Sequence, residues 1–327
     1  GRFYEAFETP TELDLKRKKQ LNMGRPPVYD RAALNLSDAD KEALRAERGD
    51  GVWRFKLDQE RIEWHDGILG DISIDGASVS DPVLIRGDGQ VLYTLASVVD
   101  DTEMGVTHVV RGSDHVTNTG TQIQIIEALG GTVPSFAHHS LLTGPQGEAL
   151  SKRLGTLALR DLREQGVQPA ALLSLMARLG SSDPVELQTE MAALIDGFDI
   201  SRFGSAPTKF DVNDLFPLTG RYLGQLPLVD VADAVRDAGV PDDQAEQFWA
   251  VTRENIRTLK DLSGWWSMMR DGAEPQIDEE DREFVAQALA LLPEGPFDGD
   301  TWSTWTSAVK EQTGRKGRGL FMPLRKA

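Results

Sequence analysis

Phe136-Ala137-His138-His139-Ser140-Leu141-Leu142, then Gly144-Pro145-Gln146-Gly147, then Leu150-Ser151-Lys152-Arg153: an apolar, strand-like run, a glycine-rich turn and a short basic loop follow one another. A loop carrying serine and lysine after a buried strand suits one chemical task, gripping a polyphosphate while charge builds on it. Lysine is a movable point cation for phosphate, and the glycines let a loop close on its ligand. The competing reading of Lys152-Arg153 is a solvated surface pair.

Working outward, Thr107–Val110 reads as a short buried strand and Thr119–Leu129 as an apolar-faced helix stopped by Gly130-Gly131. Strand, helix, strand, functional loop is a parallel α/β layout, whose ligands bind at the carboxyl ends of the strands. Arg111 and the Leu150 loop each follow a strand and are expected on that one edge. Before this region the chain reads as mixed. Thr9-Pro10-Thr11-Glu12 caps a helix that ends near Gly24, where Pro26-Pro27 blocks continuation. Strands are expected over Trp53–Leu57, Ile68–Ile74 and Val83–Ile85, and a turn over Arg86–Gly89. From Leu157 the pattern is almost wholly helical. Leu157–Gln165 stops at Gly166 and Pro169–Leu179 at Gly180, Asp183-Pro184 reads as a cap with proline at the first helical position, and helices follow over 228–238, 242–262, 278–292 and 301–313.

Several strings in this order resemble the glutamyl-tRNA synthetases, a family of class I aminoacyl-tRNA synthetases. The loop Ala149–Arg153 is similar to their second signature, Lys-Met/Leu-Ser-Lys-Ser/Arg. Tyr93-Thr-Leu-Ala-Ser97-Val-Val-Asp-Asp101-Thr-Glu-Met104-Gly105-Val-Thr-His108-Val-Val-Arg111-Gly-Ser-Asp114-His115 is close to their Tyr-x-x-Ala-x-Val-Val-Asp-Asp-x-x-Met-Gly pattern and the Arg-Gly-Glu-Asp-His that follows it. Phe210-Asp211, Leu215 and Gly220-Arg-Tyr222 resemble a later family element, and Pro323-Leu-Arg325-Lys-Ala327 its Pro-Leu-Arg-x-Ala segment. The resemblance covers nearly the whole chain and implies an α/β plus all-α architecture, the second half of a Rossmann-like fold followed by helices. It places an α+β acceptor-arm-binding insertion at 1–90, the second catalytic half at 91–156, a stem-contact domain at 157–215 and a helical anticodon-binding domain at 216–327, truncated at its C-terminus.

The resemblance implies ATP-dependent attachment of glutamate to tRNA through glutamyl-adenylate, with magnesium as the ATP complex. Such an enzyme supplies positioning and charge stabilisation rather than a covalent nucleophile. Lys152 and Ser151 are the implied catalytic pair. Lys152, Asp114, His115, Leu141 and Leu142 are the implied ATP contacts, and Tyr93, Ser97 and Arg111 the glutamate contacts. Arginine offers a planar donor fork that matches a carboxylate, and the competing reading of Arg111 is an internal ion pair with Asp100 or Asp101. Asp114 has a helix-capping alternative. For tRNA the implied contacts are Lys16 and Arg17 in a basic block, Asn255 and Arg257, and Arg318 in the basic C-terminal stretch. Arg253–Lys260 resembles the family's helical segment near the third anticodon base. Asn255 there would relax specificity between tRNA(Glu) and tRNA(Gln), unless Arg253 or Arg257 does the discriminating.

Composition limits the alternatives. The chain has 327 residues, 40% hydrophobic and 27% charged, as in ordinary globular proteins. No apolar run approaches the roughly 18 residues of a membrane span, and no signal-peptide pattern opens the chain. The absence of cysteine excludes disulfides and thiolate metal sites and is compatible with a reducing cytosol, and the five histidines lack ligand-like spacing, so no zinc or other protein-bound metal is expected; a cytoplasmic monomer is what the resemblance implies. A net charge of −17 argues against indiscriminate nucleic-acid binding, which leaves the local basic segments to meet phosphates.

Two departures stand out. Ala149 replaces the first lysine of the loop signature. The His-Ile-Gly-His-like motif of class I enzymes has no counterpart, since His65-Asp66-Gly67 and His138-His139 are misplaced for it. The chain opens where the family is already leaving the first half of its fold, so that half is expected to be missing and the chain alone to be inactive. Two other readings stay open: a glutaminyl-tRNA synthetase-like enzyme, and a non-catalytic tRNA-binding or regulatory paralogue. For the complete enzyme, Lys152→Ala is expected to lower glutamate-dependent pyrophosphate exchange by on the order of 100-fold or more, through loss of a cation at a developing phosphate charge. An unchanged exchange rate would remove Lys152 from the chemistry.

Overall fold

The computed structural model describes residues 1–148, 150 and 158–327. They form two compact units, Gly1–Tyr222 and Leu223–Ala327. Strands in the first unit are β1 (Phe3–Ala6), β2 (Val52–Phe55), β3 (Arg61–Asp66), β4 (Gly70–Asp75), β5 (Val83–Ile85), β6 (His108–Gly112), β7 (Ser135–His139), β8 (Leu142–Thr143) and β9 (Thr208–Lys209). Its helices are α1 (Pro10–Asn22), α2 (Asp38–Arg48), α3 (Tyr93–Glu103), α4 (Val116–Leu129), α5 (Leu159–Glu164), α6 (Pro169–Met176), α7 (Met191–Asp196) and α8 (Leu215–Leu223), the last running to the unit boundary. The second unit is helical: α9 (Leu228–Asp237), α10 (Ala245–Thr252), α11 (Asp261–Asp271), α12 (Arg282–Leu289), α13 (Thr301–Thr313) and α14 (Arg318–Lys326).

Two larger sheets carry the first unit, beside a short parallel pair of β8 and β9. One is antiparallel, in the order β1-β2-β5; the other has the order β4-β3-β7-β6. Within the second, β3, β7 and β6 run parallel, with Arg111 opposite His138 and Asp66 opposite Phe136, while β4 pairs antiparallel with β3 at one edge. The parallel pair joined through α4 is the layout expected from the sequence. Helix α4 lies between the sheets. Its Ile125 and Ile126 pack with Phe55, Leu57, Leu84 and Val98 on one side, and Ile123 packs with Ile62 and Phe136 on the other. Every residue from Thr119 to Ile126 is buried in consequence, so the polar side chains among them must find partners inside the protein. Gly130, at φ +76°, ends the helix in a left-handed turn that a side chain would strain.

The N-terminal cap is as expected. Thr9 and Glu12 form a reciprocal capping box at the start of α1. Elsewhere the elements differ from the sequence reading for identifiable reasons. Ile68 and Leu69 sit in a turn and not a strand, because the Asp66 carboxylate accepts both their amides, at 3.1 and 3.0 Å. The rest of the expected run, Gly70–Ile74, falls in β4, and Arg61–Asp66 before the turn is a further strand. The run Phe136–Leu142 splits, β7 ending at His139 and β8 beginning at Leu142. No helix follows Asp183-Pro184, since the Asp183 carboxylate is taken by Arg202 at 2.9 and 3.0 Å. The expected helix 242–262 is shorter, α10 ending at Thr252, and the next helix, α11, begins at Asp261. Asp261 accepts the amides of Arg257 and Thr258 at 2.7 and 3.0 Å and turns the chain between them. Helix α14, beyond the helices expected from sequence, contains Pro323, and its Leu320 and Leu324 join a core with Phe284, Val285, Trp305 and Val309. Among the described residues no helix is long and apolar enough to cross a membrane.

If α4 is the centre of the first unit, emptying one of its apolar contacts is costly. Ile125→Ala is expected to destabilise the protein by about 2–5 kcal/mol in urea unfolding, the range for deleting a large aliphatic side chain from a packed core. A change below about 1 kcal/mol would contradict this packing role.

Candidate functional site

The carboxyl ends of β3, β7 and β6 bring Asp66, His138 and Arg111 together, as parallel strands with aligned ends do. Asp66 and His138 are both fully buried and meet through Oδ2 and Nδ1 at 2.5 Å. The other oxygen of Asp66 accepts the amides of His138, Ile68 and Leu69. Burial works to raise the Asp66 pKa. The hydrogen bonds from the His138 ring and from the Leu69, His138 and Ile68 amides outweigh it and hold the carboxyl below its ordinary value. His138 also stacks on Phe136, ring centroids 6.2 Å apart.

Arg111 is half-buried, over the Phe136 ring at 5.6 Å. Its Nε donates to His138 Nε2 at 3.3 Å, and its Nη2 donates to Thr119 Oγ1 and Gln122 Oε1, both at 2.6 Å. Gln122 Nε2 in turn donates to Ser97 Oγ at 3.1 Å. Neither Asp100 nor Asp101 pairs with it, so the internal ion pair considered from sequence is not formed. Among the described residues Arg111 has no carboxylate in ion-pair contact, and Nη1 has no protein acceptor. A half-buried cation whose immediate partners are all uncharged is costly unless an anion joins it.

The other expected residues gather beside it. Tyr93 starts α3 on an exposed surface and meets the His115 ring edge-on, centroids 6.2 Å apart. His115 Nδ1 takes the Asn118 amide at 3.2 Å, and its Nε2 lies 3.8 Å from the Asp114 carboxylate. Asp114 makes no side-chain cap to α4, whose N-terminus has none. A Cβ at Gly112 would lie 2.6 Å from Asp114 Oδ1 and 3.1 Å from Leu141 Cδ2, so glycine there lets both side chains close over the strand end. Leu141 is exposed at the same edge. Leu142 faces elsewhere. With Ile68, Val110, His139, Met176 and Phe203 it lines an apolar hollow of about 250 Å³. Ala149, Ser151 and Lys152 lie outside the described residues, while Leu150 packs beside Leu142 against the core of Leu162, Leu175 and Phe210.

The basic positions fare unequally. Lys16 is bound to Glu8 at 3.3 Å and to Asp30 at 3.0 Å. Partial burial tends to lower its pKa, but Asp30 and Glu8 raise it above the usual lysine value. Arg17, on the same helix, is exposed. Arg318 is exposed at the start of α14. Asn255 and Arg257 are exposed in the turn between α10 and α11, and not on a helix as the resemblance implied. Sequence reading missed Asp66, His138, Thr119 and Gln122. The available signal was the placing of Thr119 and Gln122 inside a helix otherwise apolar enough to be buried.

A parallel α/β half-fold, with an antiparallel sheet ahead of it and a ligand edge at its strand ends, is the architecture of a class I synthetase catalytic domain. The family model for tRNA synthetases class I (E and Q), catalytic domain, matches residues 1–216. Glutamate–tRNA ligase 1 of Roseobacter denitrificans is 85% identical over all 327 residues, which span 74% of that relative's length. Glutamate–tRNA ligase 1 of Ruegeria pomeroyi is 81% identical over the same span. Among solved structures, glutamate–tRNA synthetase from Elizabethkingia anophelis superposes with a TM-score of 0.74 at 25% identity, over 99% of this chain and 73% of that one. The fold of a glutamate–tRNA ligase from Elizabethkingia meningosepticum, solved in complex with its amino acid, matches equally well at 24% identity, TM-score 0.74, covering 99% of this chain and 73% of that one. The chain belongs to the glutamate–tRNA ligases of class I.

Asp66 makes the site pH-dependent in a defined direction. Its folded pKa is depressed, so its contribution is complete above the unfolded carboxylate value of about 3.9 and is lost as pH falls through the folded pKa. Asp66→Asn would set an amide donor against the His138 Nδ1–H. It is expected to destabilise by about 3 kcal/mol at pH 7, and the gap from wild type should close as pH falls below about 4. Urea unfolding across that range measures both. A gap that stays constant with pH would contradict the charged assignment.

Proposed function

We propose that this chain takes part in the activity for which its relatives are named, ATP-dependent attachment of glutamate to tRNA. A glutamate carboxylate oxygen attacks the α-phosphorus of ATP, forming glutamyl-adenylate and releasing pyrophosphate. A hydroxyl of the tRNA 3′-terminal ribose then attacks the acyl carbon, and AMP leaves. The observation that carries the reading is Arg111, a half-buried cation at the ligand edge with two Nη1 donors open and no anion among its described partners.

In this reading Arg111 Nη1 takes a carboxylate of glutamate. Ser97 Oγ, already accepting from Gln122, offers its remaining lone pair to the substrate ammonium. Tyr93 packs against the amino acid. Asp114, His115 and Leu141, gathered around Gly112, are assigned to ATP. Leu142, which lines the apolar hollow, is not assigned to ATP, and Ser151 and Lys152 are assigned to the phosphates. Magnesium arrives with the ATP phosphates; among the described residues no group of three His, Asp or Glu side chains is placed to hold a metal of its own.

For tRNA, residues 1–90 are assigned to the acceptor arm, 91–156 to catalysis, 157–215 to the stem and 216–327 to the anticodon. Arg17, Asn255, Arg257 and Arg318 are the proposed contacts, with Lys16 fixing α1 through Glu8 and Asp30 and meeting phosphate only by exchanging those partners. The partner is tRNA(Glu), with tRNA(Gln) as the second candidate, and the protein is assigned to the cytoplasm as a monomer.

Charging assays on the complete protein test the reading. Arg111→Ala is expected to lower kcat/KM for glutamate by roughly 30-fold or more, the loss of a charged hydrogen bond, with the KM for ATP unchanged. Glutamate kinetics unaffected by the change would refute the assignment.

A further inference from the structure

The partners of Arg111 form a chain in which each hydrogen bond fixes the direction of the next. A guanidinium only donates. Its Nε–H points at His138 Nε2 at 3.3 Å, and Thr119 Oγ1 lies 2.9 Å from the same nitrogen, so that nitrogen carries a lone pair. The imidazole is then neutral, and its proton sits on Nδ1, donated to Asp66. Both hydrogens of Nη2 are committed, one to Thr119 and one to Gln122. The Gln122 carbonyl faces Arg111, so its amide nitrogen faces Ser97. Three of the five N–H groups are used and the two on Nη1 remain.

We propose that Asp66, His138, Thr119 and Gln122 are positioning residues for amino-acid binding. They lock the guanidinium so that Nη1 alone meets the substrate carboxylate. This deepens the reading of Arg111 given above and rests on it. None of the four needs to touch substrate. Asp66 fixes the His138 tautomer, His138 and the two α4 side chains fix the plane of Arg111, and Gln122 ties that plane to Ser97. The Asp66 charge reaches Arg111 only through a neutral ring. The arginine therefore keeps its attraction for an anion while losing the freedom to turn away from it, which is how a rigid supporting shell lowers the cost of binding.

The two halves of His138 can be tested separately. In His138→Gln the amide oxygen can reach the place of Nε2 and accept from Arg111. In His138→Asn the amide nitrogen takes the place of Nδ1, satisfies Asp66 and offers nothing to Arg111. Thr119→Val keeps shape and removes one Nη2 acceptor together with the hydroxyl beside His138 Nε2, both of them positioning contacts, which keeps the test available if a His138 variant does not fold. Charging by the complete protein is measured at varied glutamate and at varied ATP, with thermal melting alongside. His138→Asn and Thr119→Val are expected to raise the KM for glutamate about 10-fold, the scale of one charged hydrogen bond. Their kcat should stay within about twofold and the KM for ATP should not move, while His138→Gln returns the KM for glutamate to within about threefold of wild type. Equal KM values for the Gln and Asn variants, or losses carried by kcat or following melting temperature, would overturn the proposal. If Arg111→Ala raises this KM and the other variants do not, positioning fails while the carboxylate assignment stands. If Arg111→Ala is silent, both fall together.

Discussion

Helix α4 is held between two sheets, and everything at the ligand edge follows from that burial. Eight consecutive residues, Thr119–Ile126, are shielded from water. The isoleucines meet this condition by packing. Thr119, Gln122 and Gln124 can meet it only by hydrogen bonding, because a buried polar group without a partner costs about 1–3 kcal/mol. Gln124 turns toward the antiparallel sheet, joining the Asp58 backbone and Arg2 at 2.7–3.1 Å. Thr119 and Gln122 turn toward the parallel sheet and take Arg111. One helix thus ties the two sheets together and aims the cation at the strand ends.

The same constraint explains which parts could be read from sequence. Periodicity exposed α4, β6 and β7, because burial wrote apolar residues at regular positions. The capping chemistry of Thr9 and Glu12 exposed the start of α1. Local readings failed where a distant or nearby carboxylate decides the backbone: Asp66 over Ile68 and Leu69, Asp183 with Arg202, and Asp261 under Arg257 and Thr258. Of the site, motif resemblance pointed to Arg111, Ser97 and Tyr93. Asp66 and His138 are 72 residues apart and become neighbours only when β3 and β7 pair, which no local pattern announces.

Charge placement separates binding from support. Half-buried cations elsewhere in the first unit include Arg31 with Asp81 at 2.7 Å, Arg2 with Asp58 at 2.9 Å, and Lys16 with Glu8 and Asp30. They are paired structural groups that gain little from a further anion. Arg111, by contrast, has only neutral acceptors, as does the buried Arg54 against the Asp81 carbonyl and the Tyr29 ring, but Arg111 lies at the strand ends, where the proposed ligand reaches it.

The most direct measurement is a crystal structure of the complete protein with glutamate bound. The account predicts a substrate carboxylate oxygen at about 2.7–2.9 Å from Arg111 Nη1, the distance of a charge-assisted hydrogen bond, with the bonds from Nε to His138 and from Nη2 to Thr119 and Gln122 intact. A guanidinium swung away from His138 to meet the substrate, or a carboxylate bound without Arg111, would contradict it.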